Sequence, residues 1–85
     1  MKKYSEALEN VIGKLTRMQY ERKDIRHAMN YQHIDFDTTD EATRVKMQIQ
    51  QNTYLLTVMT NKSSIDVLTK SIELLRLEEE RLEGK

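Results

Sequence analysis

The chain reads as an all-α protein: an antiparallel helical hairpin with a long second helix, coiled-coil-like and self-associating into a dimer or higher helical bundle. Three observations predict this. Proline is absent and Gly occurs only twice, too few turn-forming residues for the corners of an all-β fold. Apolar residues recur at alternating spacings of four and three, the signature of one helical stripe. At 85 residues and 38% hydrophobic, residues 1–85 form one small helical domain with a marginal core of its own, so oligomerisation is expected.

The first helix is predicted over about residues 5–31. Its stripe is Tyr4, Leu8, Val11, Leu15, Met18, Arg22, Ile25 and Met29, in which only Arg22 is polar. From this stripe Leu8, Val11, Leu15, Met18, Ile25 and Met29 are the expected hairpin core, facing Met47 and Tyr54 of the second helix. Ser5 can accept from the free first-turn N–H groups, and Glu6 suits the positive end of the helix dipole. Gly13 lies inside the pattern, where Gly costs ~1 kcal/mol relative to Ala.

Residues 32–38 are expected as a loop, with β-branched and Asx residues weakening helix propensity from His33 onward. Thr38 and Glu41 fit the capping box, in which each side chain satisfies a backbone donor of the other. A connection this short implies antiparallel neighbours.

The second helix is predicted over about residues 39–83. Its stripe is Met47, Gln51, Tyr54, Val58, Asn61, Ile65, Leu68, Ile72, Leu75, Glu79 and Leu82, spaced by four and three throughout. Residues 61–64, Asn-Lys-Ser-Ser, offer a possible break, because Asn can end a helix and Ser can start one. The unbroken heptad phase argues for continuity, with Asn61 as a polar core residue that fixes register. β-Branched residues at a and Leu at d favour self-association through Val58, Asn61, Ile65, Leu68, Ile72, Leu75 and Leu82. At 1.5 Å per residue the two helices reach ~40 Å and ~67 Å, so the far half of the second lacks a partner within the hairpin. A further apolar set, Ile49, Leu55, Leu56, Met59, Val67, Leu74 and Leu77, points to a bundle of more than two strands.

Fourteen Lys and Arg balance fourteen Asp and Glu. Residues 1–34 carry seven bases and four acids, net +3, and residues 35–85 carry seven bases and ten acids, net −3. That asymmetry suits pairing of helices. Lys14, Arg17, Arg22, Lys23 and Arg26 are candidate phosphate contacts for a nucleic-acid-binding regulator, but Glu21 and Asp24 interrupt them and the pI of about 6.7 argues against that class.

Chemistry-bearing clusters are few. Asp35, Asp37, Asp40 and Glu41 gather hard oxygen ligands, with the imidazole of His33 beside them, as the start of an EF-hand loop does. The sixth position of such a loop would be Asp40 where Gly is needed, and the twelfth Lys46 where Glu is needed. Helix capping accounts for these acids. Cys is absent, and His27 and His33 are six residues apart, out of helical phase, so neither zinc nor a thiol nucleophile is expected. The reading is non-enzymatic, with no cofactor. Apolar runs are short, as at Val11-Ile12 and Leu74-Leu75, and Met1-Lys2-Lys3 leads into no signal core; membrane insertion is not expected, and a cytoplasmic location is.

Lys46-Met47-Gln48, Tyr54, Val58 and Ser71-Ile72-Glu73-Leu74-Leu75 are similar to the C-terminal helix of type III secretion inner-rod proteins, over about 30 residues. The small helical-hairpin chaperones of those systems are similar in size and architecture. The resemblance implies a rod-like subunit or co-chaperone, as an alternative to the reading from the residues themselves. That reading is a protein–protein interaction module (adaptor, chaperone or assembly subunit) whose partners are a second copy of itself and another protein.

Overall fold

The computed structural model describes residues 5–30 and 40–84, and every regular element among them is an α-helix. Four helices follow in order: α1 Glu6–Arg17, α2 Arg22–Ala28, α3 Glu41–Val58 and α4 Lys62–Glu83.

Helix α1 starts where the sequence places it. The Ser5 hydroxyl accepts from the Leu8 N–H at 3.1 Å, and Glu6 and Glu9 lie in the first turn. Ala7, Leu8, Val11 and Leu15 face inward, a period of three and four that buries one side. The expected helix over 5–31 ends instead at Arg17. Met18 closes the last turn by donating its N–H to Lys14 and Leu15, and Gln19 adopts a left-handed φ of 64°. Glu21 then begins α2 without a side-chain cap. The physical reason lies in the stripe itself. Met18 is 46% exposed and Arg22 is exposed, so the bend turns out the polar member and its neighbour while Ile25, Ala28 and Met29 stay in the core.

Thr38 and His33 lie outside the described residues, and the expected capping box with them. The observed cap of α3 is Asp40, whose carboxylate accepts from the Thr43 N–H at 2.7 Å and is held below its usual pKa by that bonding. Glu41 divides its carboxylate between α1 and its own helix. Its Oε1 accepts from the Ala7 N–H at 2.9 Å and from the Ser5 hydroxyl, while Oε2 faces the buried Arg44 at 3.3 Å. One carboxylate from α3 thereby supplies the negative charge that the N-terminus of α1 favours.

The second expected helix, over 39–83, is also two. Met59 and Asn61 are extended, and the Asn61 side chain accepts from the N–H groups of Ser63 and Ser64 at 2.9 and 3.3 Å, starting α4. α4 then folds back along α3: Asn52 meets Ser71 at 2.8 Å and Lys46 meets Glu83 at 3.7 Å, an antiparallel arrangement. The far half of the long helix thus finds its partner within the chain.

The first two helices run along α4 in the opposite sense, with Asn10 near Glu78 at 3.1 Å and Asp24 near Ser64 at 3.3 Å. They therefore run parallel to α3, as Ala7 meets Glu41 and Ala28 meets Gln48. In place of the expected hairpin of two helices, α4 runs antiparallel to α1, α2 and α3. α4, about 33 Å long at 1.5 Å per residue, matches the longest dimension of 34 Å and is the common support. Burial of Glu78 raises its pKa, but bonds from Arg81 and Asn10 and the nearby Lys14 outweigh that and keep it below the usual value.

Replacing Gln19 with Gly should stabilise the fold by up to about 1 kcal/mol, because a left-handed φ strains any residue with a Cβ. Urea unfolding measures this. An unchanged or lower midpoint would mean that the bend is not strained.

A neutral outer face on α3

α3 is built with its polarity reversed from the expected one. The residues it buries are Arg44, Val45, Gln48 and Asn52, of which only Val45 is apolar. Ile49, Leu55, Leu56 and Met59 pack, half-buried, at the edges of the core. Met47, Tyr54 and Val58 are exposed by 37, 64 and 53%, and they line the opposite side at spacings of seven and four.

Hydrogen bonds fix this rotation. The Gln48 amide N–H group donates to the Ala28 carbonyl at 3.1 Å and to Asn52 Oδ1 at 2.9 Å. Asn52 Nδ2 donates to Ser71 Oγ at 2.8 Å, and Ser71 donates to the Leu68 carbonyl at 2.9 Å. Gln48, Asn52 and Ser71 are fully buried, so each bond forms in a low-dielectric setting where an unmade one is costly. The chain links the end of α2, the middle of α3 and the middle of α4.

What faces outward is also distinctive in charge. In a chain that is 33% charged, residues 47–61 contain no Asp, Glu, Lys or Arg. The outer face of α3 consists of Met47, Gln50, Tyr54, Thr57 and Val58 with half-buried Gln51 between them. Methionine and tyrosine without charge are the composition found at the centre of protein interfaces.

The sequence-derived sites divide as follows. Leu8, Val11, Leu15, Ile25 and Met29 are buried in the core, whereas Met18, Met47 and Tyr54 are exposed. Of the proposed self-association seam, Leu68 and Leu75 are fully enclosed by this chain's own helices, Ile65, Ile72 and Leu82 are half-buried, and Val58 and Asn61 are exposed. Leu68 and Leu75 are therefore core residues here, because this chain's own helices pack against α4.

Arg17, Arg22, Lys23 and Arg26 are exposed and Lys14 half-buried, but the bend at Gln19 splits them between two helices. Lys23 lies 3.7 Å from Glu21, and Asp24 is buried beside them. An open cleft of about 310 Å³ there is lined by Lys23, Asp24, His27, Met59, Asn61 and Ser64, a mixed rather than a positive surface. His33, Asp35 and Asp37 lie outside the described residues; among those described, no three His, Asp or Glu side chains are grouped to hold a metal ion. No described helix is long and apolar enough to cross a membrane.

No protein-family model, curated protein or solved structure matches the chain. The outer face of α3 is thus assigned from its own composition and exposure.

The buried network was not foreseen. Its sequence signal is the i,i+4 pair of amides, Gln48 and Asn52, flanked by the apolar set Val45, Ile49, Leu55 and Leu56. Truncating Asn52 to Ala strands the Gln48 and Ser71 groups and should cost about 2–3 kcal/mol, measured by chemical denaturation. A loss within about 0.5 kcal/mol, the range of an ordinary surface change, would show that the network does not hold α3.

Proposed function

We propose that the protein is a non-enzymatic interaction module, an adaptor or assembly subunit that receives a partner helix on the outer face of α3. The observation that carries this reading is the charge-free exposed stripe Met47–Tyr54–Val58 in a chain otherwise rich in charge. Apolar residues at i, i+7 and i+11 form a row about 16 Å long, the spacing at which a helix presents its anchors to another helix. A rigid base supports it. In the compact form the inner side of α3 is pinned by buried amide bonds, which hold the outer stripe in one orientation. An uncharged stripe also sets the salt response: association through it should persist as ionic strength rises, unlike binding to phosphates.

The test is a photo-crosslinking residue in place of Tyr54, expressed in the cells that make the protein. The expected result is a discrete protein adduct that survives raised salt and disappears when Met47 and Val58 are changed to Asp, with helicity and melting unchanged. No adduct, or one indifferent to both changes, would contradict the reading.

A further inference from the structure

α3 and α4 carry one heptad stripe that the compact form uses on only one of them. Tyr54, Asn61, Leu68, Leu75 and Leu82 are each seven residues apart, as are Gln51, Val58, Ile65 and Ile72. On α4 this stripe holds the fully buried Leu68 and Leu75; on α3 it is the outer face, with Tyr54 and Val58 in the open. A helix running straight through Met59–Asn61 would place all of them on one side. Gln48 would then flank the seam and Asn52 would lie on the outer side, and both would reach water. That change would also relieve Gln48 Oε1, which is buried with no hydrogen-bond donor among the described residues.

Little in the covalent chain enforces the turn. Residues 41–83 contain neither Pro nor Gly, and Met59 and Asn61 sit in ordinary extended conformations (φ −77°, ψ 141° and φ −76°, ψ 123°). The start of α4 is set by the Asn61 side chain, which caps Ser63 and Ser64.

We propose that Met59–Asn61 is a hinge, and that the occupant of the outer face of α3 is a second copy of this chain. This rests on the reading of that face as an interface and names its partner. With the hinge straight, residues 41–83 form a helix about 65 Å long at 1.5 Å per residue, nearly twice the longest dimension of 34 Å in the compact form. Two such helices pair through Val58, Ile65 and Ile72 at a and Leu68, Leu75 and Leu82 at d, the distribution that favours parallel dimers, with Asn61 setting the register. Opening removes α1 from α4, and the loss of the packing of Leu8, Val11 and Leu15 keeps the compact form as the resting state. Pairing with a second copy offsets that loss by covering Met47, Tyr54 and Val58.

The full-length Asn61→Leu variant tests the proposal, because it removes the cap and places Leu at a d position. Light scattering should give twice the 10.1 kDa mass of one chain, and small-angle X-ray scattering a maximum dimension near 65 Å. Adding Tyr54→Lys should return a compact monomer, since Tyr54 is exposed in the compact form and covered only in the extended one. Should Asn61→Leu lose its helicity by circular dichroism, Asn61→Gln with Thr60→Glu, which removes the cap and keeps the surface polar, is read in the same way. A compact monomer, a compact dimer, or a long dimer insensitive to Tyr54→Lys would each overturn the proposal. An adduct from position 54 to a different protein, with no dimer in either hinge variant, would overturn it while leaving the outer face of α3 as an interface.

Discussion

The hydrogen bonds joining Ala28, Gln48, Asn52 and Ser71 set the rotation of α3, and most other features follow from that rotation. With two amides turned inward, the apolar positions about a third of a turn away face out. A core of this size could have been filled by Leu in place of the amides with little loss of net stability, because a hydrogen bond formed on folding replaces one to water. What the amides add is selection among rotations: any other rotation of α3 leaves buried donors unmatched, whereas an all-apolar face would accept several.

Side chains at helix starts define where each element lies. Ser5, Asp40 and Asn61 each accept from the backbone N–H groups of the helix they start. Glu41 does the corresponding work between elements, joining the start of α1 to the start of α3. The Glu41 contact sets the start of α1 beside the start of α3, in keeping with their parallel course. The short chain obtains its core by folding twice along α4.

Much of this was legible in the sequence. Helical class, the start of α1 at Ser5 and the inward positions Leu8, Val11, Leu15, Ile25 and Met29 all follow from spacing and capping chemistry. The break at Met18–Glu21 was not, and the one at Asn61, which Asn-Lys-Ser-Ser offers, is outweighed in the sequence by the heptad phase. At Met18–Glu21 the apolar period continues and no Gly or Pro marks the turn, which is made by a left-handed Gln19. At Met59–Asn61 the heptad phase runs on undisturbed, so periodicity alone favours one helix, and only the return of α4 onto α3 shows that Asn61 is a cap rather than a core residue. The second apolar set, Ile49, Leu55, Leu56 and Met59, belongs to the actual packing side of α3, while the regular stripe through Met47, Tyr54 and Val58 is the free one. Regular spacing identifies an amphipathic face; it does not say whether that face meets its own chain or another.

The functional reading therefore depends on α3 presenting its neutral apolar stripe to solvent. Because the chain has no Cys, single cysteines placed at position 54 or 45 report this directly through their rates of reaction with a thiol reagent. Tyr54→Cys should react nearly as fast as in the unfolded chain, and Val45→Cys, at a fully buried site, should be slower by orders of magnitude. Fast reaction at 45 with protection at 54 would mean that α3 is rotated by half a turn, and that the exposed stripe is its core.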